Sequence, residues 1–315
     1  MVNKTLAYVF PGQGSQAVGM LAELAEAYDV VKRTFDEASD SLGYDLWNLV
    51  QQGPEADLNR TDRTQPAMLV AGVAVWRVLA EQGAPKPALL AGHSLGEYTA
   101  LVCAEALAFG DAVALVADRG RFMQEAVPEG EGAMAAILGL DDDQVRAACD
   151  EAAQGEVVEP VNFNAPGQVV IAGAKAAVER AVDAAKAAGA KRALPLPVSV
   201  PSHCALMKPA SERLAERLNN ITVSAPTIPV VHNADVSKAG DADAVRERLV
   251  RQLYSPVRWV ETIQGMASEG IEQVVECGPG KVLAGLNKRI VRGMAATPVF
   301  DPAGVDKVLA DNEAK

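Results

Sequence analysis

PALLAGHSLGEYTALVCAEAL, Pro87 to Leu107, is the stretch on which the fold turns. An apolar run, Ala88 to Ala91, reaches Gly92-His93-Ser94-Leu95-Gly96 and passes directly into a helical pattern. This is G-x-S-x-G between a strand and a helix, the setting in which the pentapeptide forms a sharp nucleophile turn. Two glycines without side chains let strand and helix close around a strained Ser94. The Leu95 N–H at the helix start then points at any oxyanion formed on a substrate. The bare pentapeptide also arises as an ordinary turn, and only its flanks set it apart.

Outward from this point the chain keeps one rhythm. Short apolar runs ending in glycine, proline or a polar residue (LAYVF, IPVVHN, EQVVECG) alternate with helical patterns, as in an α/β fold with a parallel sheet. Between Glu131 and Val198 the order becomes strand AMAAILGL, helix DDQVRAACDEA, strand EPVNFN, strand VVIAG, helix AAVERAVDAAKAAG, strand RALPLPV. That is βαββαβ, a ferredoxin-like plan. The reading is a discontinuous hydrolase-like α/β domain, residues 1–130 and 199–315, carrying an inserted small subdomain, 131–198, with a ligand cleft between them.

A nucleophilic serine needs a base, and the chain has only three histidines. His93 lies within the turn itself, where packing or support is its expected role. His232 ends a strand and reads as a satisfied loop histidine or a cleft residue. His203, in VSVPSHCALMKPA, precedes a helix, so its ring is expected near a positive dipole end that keeps it a free base. A capping or buried histidine is the plain alternative at that position. Cys204 beside it reads as a small buried hydrophobe.

The helix expected over Asp111 to Val127 has an apolar stripe of Leu115, Val116, Met123 and Val127, and Arg119 falls on it while Arg121 faces the polar side. A buried guanidinium costs several kcal/mol unless an anion meets it, and its planar fork suits a carboxylate. Either a structural Asp or Glu answers Arg119, or a substrate does.

YVFPGQGSQA, Tyr8 to Ala17, contains G-x-G-x-x-A after a strand, but the following AYDVVKRTFDEASDSL has helical spacing where a dinucleotide fold needs a second strand. Neither this loop nor GPGKVL completes a Walker phosphate loop.

Composition narrows the class. A chain of 315 residues with 49% hydrophobic content can bury a full core, and a formal charge of −12 with pI near 4.8 speaks against nucleic-acid or anionic-membrane binding. Cys103, Cys149, Cys204 and Cys277 form no C-x-x-C pair and no metal-ligand spacing with histidine, which predicts reduced thiols, no metal and a cytoplasmic setting. No signal-peptide pattern and no run of eighteen apolar residues is present.

Taken together, FPGQGSQ at Phe10, GHSLGEYTAL at Gly92, RGRFM at Arg119, SVPSHCALM at Ser199, QLYSPVRW at Gln252 and GPGKVL at Gly278 resemble the discrete malonyl-CoA:acyl carrier protein transacylases of fatty-acid synthesis. The resemblance implies a serine acyl-enzyme on Ser94, His203 as general base and Arg119 on the malonyl carboxylate. It also implies an oxyanion hole from the backbone N–H groups of Gln13 and Leu95, and a Gln252 backbone carbonyl that orients the histidine. Malonyl-CoA and acyl carrier protein are the implied partners, with no permanently bound cofactor. An acidic carrier protein needs a local basic surface, for which Lys281, Lys288, Arg289 and Arg292 are candidates, although a solvated helix face is the plainer reading. Rival functions are a serine esterase or thioesterase, a nucleotide-dependent oxidoreductase built on Gly12, and a non-catalytic carrier-binding protein.

Overall fold

The computed structural model describes residues 2–198 and 200–313. Met1, Ser199, Ala314 and Lys315 lie outside the described residues, and with them the first position of the SVPSHCALM motif and the expected boundaries at 1, 199 and 315. In chain order the strands are β1 (Val2–Phe10), β2 (Lys86–Gly92), β3 (Gly132–Leu138), β4 (Val158–Ala165), β5 (Gln168–Ala174), β6 (Arg192–Pro195), β7 (Val230–Val231), β8 (Gln273–Cys277) and β9 (Ala295–Val299).

Five of them form a parallel sheet in the order β7-β2-β1-β8-β9. The inner strands are buried on both faces: Leu6 to Phe10 of β1 and Gln273 to Cys277 of β8 are sequestered throughout, as continuous apolar runs in a helix-covered parallel sheet should be. The helix Thr61–Glu81 packs against the helices Asp29–Leu42 and Phe109–Ala126 and against β8, which explains why it is apolar nearly all round. Residues 29–42 are helical where a dinucleotide fold would need its second strand, so the Gly12 loop has no Rossmann partner.

The other four strands form an antiparallel sheet in the order β4-β5-β3-β6. The helices Asp142–Ala153 and Lys175–Ala187 cover one face, meeting Ala135, Ile137, Val169 and Ile171. The opposite face presents Met134, Val161, Val170 and Ala172 to the buried Cys204. The edge strand β4 is tied to the large sheet's side of the molecule: Phe163 N donates to the Val257 carbonyl at 3.0 Å and Val257 N to the Val161 carbonyl at 2.8 Å. No helix among the described residues is long and apolar enough to cross a membrane.

Candidate active site

β1 and β2 are parallel neighbours in a register that pairs Phe10 with Gly92, so the chain leaves both strands at the same end of the sheet. Two loops far apart in sequence are thereby laid side by side. His93 N donates to the Phe10 carbonyl at 2.9 Å. The approach is closer than any Cβ permits. A methyl on Gly92 would lie 1.8 Å from the Gly96 carbonyl carbon, one on Gly96 2.1 Å from the Phe10 oxygen, and one on Gly12 2.5 Å from the His93 oxygen. Between these contacts Ser94 is held at φ 51°, a left-handed conformation that costs a non-glycine residue about 1 kcal/mol.

Ser94 Oγ lies 2.6 Å from His203 Nε2, and His203 Nδ1 lies 2.8 Å from the Gln252 carbonyl oxygen. The carbonyl can only accept, so Nδ1 carries the proton and Nε2 is free to take one from the serine. Gln252 is the last residue of the helix Ala242–Gln252, where carbonyls have no partner within the helix. The main chain is fixed there too, because His203 N donates to the Leu253 carbonyl at 3.0 Å.

The sequence reading gave the ring only a positive dipole end. In the structure it lies between two helix ends: Nδ1 rests on the C-terminal carbonyl of the helix Ala242–Gln252, a negative end, while Nε2 faces Ser94 just ahead of the helix Gly96–Cys103. Burial, and after it the positive charge of Arg119, nonetheless pushes the His203 pKa down to about 3, so the ring is neutral in the resting protein.

Arg119 is 1% exposed on the buried face of the helix Phe109–Ala126, while Arg121 reaches outward to Asp118. The structural carboxylate left open as its partner is absent among the described residues. Its Nη1 donates to Gln65 Oε1 at 2.8 Å and its Nη2 to Gln252 Oε1 at 3.1 Å, its face lies 5.2 Å from the Tyr98 ring centre, and Nε has no partner among the described residues. Two neutral amides orient the fork without cancelling its charge.

Ser94, His203, Arg119, Gln13 and Leu95 line one cleft of about 460 Å³, closed on the far side by Met134 of the small sheet. Among the described residues neither the Gln13 nor the Leu95 amide donates to a protein acceptor. Gln252 contributes to the site from behind, fully buried. His93 also lines the cleft, bonded through Nε2 to Asn164 Oδ1 at 2.7 Å and packed at a tilt against Trp259, and burial lowers its pKa. His232 does not reach the cleft lining and is buried against Glu97 at 2.7 Å. Lys281, Lys288 and Arg292 are exposed, whereas Arg289 is engaged by Gln168 and the Pro166 carbonyl across the sheet junction.

Sequence reasoning missed Gln65, Asn164, Glu97 and Asn233. Glu97 left a signal, a carboxylate inside an otherwise apolar helix. Asn233 left none, since single asparagines after strands are common turn residues, and Asn164 left none as one polar residue near the end of an edge strand.

The chain matches the acyl transferase domain family over residues 7–303. It is 63% identical over 303 residues to a malonyl CoA-acyl carrier protein transacylase of Salmonella typhimurium, covering 96% of this chain and 98% of that one. To the protein of the same name from Bacillus subtilis it is 46% identical, with 96% of each covered. Among solved structures, an acyl carrier protein S-malonyltransferase from Vibrio cholerae superposes with a TM-score of 0.95 at 62% identity, covering 96% of this chain and 99% of that one. A malonyl-transacylase solved in complex with its type II PKS acyl-carrier protein superposes with a TM-score of 0.97 at 61% identity, covering 98% and 99%.

Proposed function

Since the chain belongs to the acyl transferase domain family, with malonyl CoA-acyl carrier protein transacylases as near full-length relatives, we propose that it moves malonyl from malonyl-CoA to the phosphopantetheine thiol of acyl carrier protein for fatty-acid synthesis. The observation that carries the reading is one cleft holding a serine and imidazole 2.6 Å apart beside a buried guanidinium whose partners are neutral. The first pair suits acyl transfer in general. The guanidinium suits an acyl group that ends in a carboxylate.

In the first half-reaction His203 Nε2 takes the Ser94 proton as Oγ attacks the thioester carbon. The resulting oxyanion accepts from the Gln13 and Leu95 N–H groups, a preorganised pair of donors. Collapse breaks the C–S bond, and the imidazolium returns its proton to the departing coenzyme A thiolate. The carrier thiol then enters, gives its proton to His203 and attacks the Ser94 ester. The proton finally goes back to Oγ, and malonyl leaves as the new thioester. One site serves both halves because donor and acceptor end in the same pantetheine arm.

A carbonyl orients the imidazole without the charge of a carboxylate, which is sufficient for a thioester with a good leaving group. The reading requires no resident cofactor, and a cytoplasmic setting agrees with four buried free thiols. Lys281, Lys288 and Arg292 remain the proposed cationic contacts for the carrier, and reversing their charges should weaken transfer to carrier protein while sparing acylation by malonyl-CoA.

The test is intact-mass measurement after mixing with malonyl-CoA. A stable malonyl adduct that carrier protein removes, and that Ser94→Ala abolishes, is expected. Steady release of malonate without an adduct would make the protein a hydrolase and overturn the reading.

A further inference from the structure

Behind the cleft lies a carboxylate that the mechanism above does not use. Glu97, the second residue of the helix Gly96–Cys103, is fully buried, and no lysine or arginine pairs with it among the described residues. Three donors meet it: His232 Nδ1 at 2.7 Å on one oxygen, and on the other Asn233 N at 2.8 Å and Gln252 Nε2 at 3.0 Å. A buried carboxylate so fully engaged is a rigid anchor, because bonds to a charged acceptor are about twice as strong as neutral ones.

What it anchors touches both the Ser94 turn and the Arg119 fork. Gln252 Nε2 also donates to the Ser94 carbonyl at 3.0 Å, and Gln252 Oε1 accepts from Arg119 at 3.1 Å. Asn233 Oδ1 accepts from Ser94 N at 2.7 Å while its Nδ2 donates to the Gly92 carbonyl at 2.7 Å. Turning the Gln252 amide over would set its oxygen against the Glu97 carboxylate and its NH2 against the guanidinium. Both contacts would be repulsive, so Glu97 and Arg119 together fix which way the amide faces.

We propose that Glu97 is a positioning residue: through the Gln252 side chain and Asn233 it holds the nucleophile turn and the Arg119 fork in one geometry, so that acyl selectivity depends on the placement of a side-chain oxygen the substrate never touches. The inference rests on the transacylase reading at its Arg119 end and on the serine geometry alone at its Ser94 end. The Gln252 amide also separates Glu97 from Arg119. An intervening dipole leaves the guanidinium oriented and its charge available, where a direct ion pair would have consumed it.

Two conservative variants separate position from charge. In Glu97→Gln the side-chain oxygen can keep both Asn233 N and Gln252 Nε2. The new NH2 then donates to His232 Nδ1 once that ring moves its proton to Nε2, an atom with no partner now. Glu97→Asp keeps the charge but withdraws it by about 1.5 Å, one C–C bond, beyond hydrogen-bond reach of Gln252. Folding is verified by thermal denaturation, and the ratio of kcat/KM for malonyl-CoA to that for acetyl-CoA is measured.

The ratio is expected to fall about tenfold in E97D and to stay within about threefold in E97Q. A merely structural role would lower both acyl activities together and leave the ratio unmoved. Labelling of Ser94 by phenylmethanesulfonyl fluoride, which needs no malonyl group, should slow in E97D and not in E97Q. If the wild type takes no malonyl, the functional reading fails while the labelling still judges Glu97. Should E97D not fold, Gln252→Leu removes the amide through which Glu97 acts while keeping the carbonyl His203 uses, and the same fall is expected. An unchanged ratio and labelling rate in folded E97D, or in Q252L where E97D does not fold, overturns the proposal.

Discussion

Gly12→Ala tests the oxyanion loop with a single methyl group. The added Cβ would sit 2.5 Å from the His93 carbonyl oxygen, whereas ordinary contact begins near 3.4 Å. The shortfall is about 0.9 Å against a typical van der Waals approach. The His93 side cannot give way, because that carbonyl accepts from Gly96 N at 2.9 Å inside the nucleophile turn, and the turn is wedged against β1. Gly12 itself has no left-handed φ, so the strain is one of approach and not of backbone conformation. The loop must therefore retreat and carry the Gln13 N–H with it by nearly an ångström. Ser94 and His203 stay in place, bonded to parts of the chain the methyl does not reach. Misplacing a catalytic group by 1 Å costs about 10²-fold, and losing one oxyanion donor costs about 10² to 10³ in kcat, or roughly 3 to 4 kcal/mol. Steady-state transfer from malonyl-CoA to carrier protein should show kcat down about 100-fold with KM changed less than about threefold, since the donor matters chiefly in the transition state. A folded G12A protein with kcat within about threefold of wild type would remove Gln13 from the oxyanion hole.

Arg119→Ala should lower kcat/KM for malonyl-CoA by at least about 100-fold and leave acetyl transfer relatively favoured, because the charged pair is lost for one substrate only; an unchanged ratio in competition assays refutes the role. With the His203 pKa pushed down to about 3, kcat/KM should show no acid limb from this group between pH 8 and 5, where an exposed imidazole with its ordinary 6.5 would lose activity. The same shift makes the unfolded chain bind the extra proton first, so its contribution lowers stability as pH falls from 6.5 toward 3, measurable as a declining denaturation midpoint. Ser94→Gly should be more stable than Ser94→Ala by about 1 kcal/mol, both being inactive, because glycine occupies φ 51° without strain; equal denaturation midpoints would show that the turn is unstrained.

Much of this site was legible because its chemistry is local. The strand, the two glycines and the serine of the nucleophile turn are contiguous, and the buried arginine announces itself by sitting on an apolar stripe. The α/β rhythm was readable for the same reason, through apolar runs too short for helices. The short strand β9 was not among the runs picked out, since AATPV has little to separate it from a turn. The carbonyl that meets the His203 ring was legible only through the family resemblance, because the helix that carries it is not the one that follows the histidine in sequence. The helix Ala242–Gln252 arrives from some 49 residues downstream, and no local pattern announces that encounter. Gln65 and Gln252 were illegible as partners of Arg119 for a different reason. A rule that a buried charge seeks an opposite charge searches for carboxylates, and this fold answers with amides.

If Arg119 receives the acyl carboxylate as proposed, that choice of amides ties selectivity to reactivity. In the resting site the uncancelled charge of Arg119 is, after burial, the largest influence holding the His203 imidazole to a weak basicity. On the proposed reading, a malonyl carboxylate bound at Arg119 would offset that influence, so the imidazole would become a better proton acceptor once that acyl group arrives, and a developing oxyanion beyond Ser94 would raise its basicity further. Acetyl offers no carboxylate, so an acetyl thioester meets both an unsatisfied guanidinium and a base left at its resting strength. Direct pairing of Arg119 with Glu97 would have stabilised the empty protein and abolished this coupling. The amide of Gln252, oriented by one charge and orienting the other, keeps the two apart.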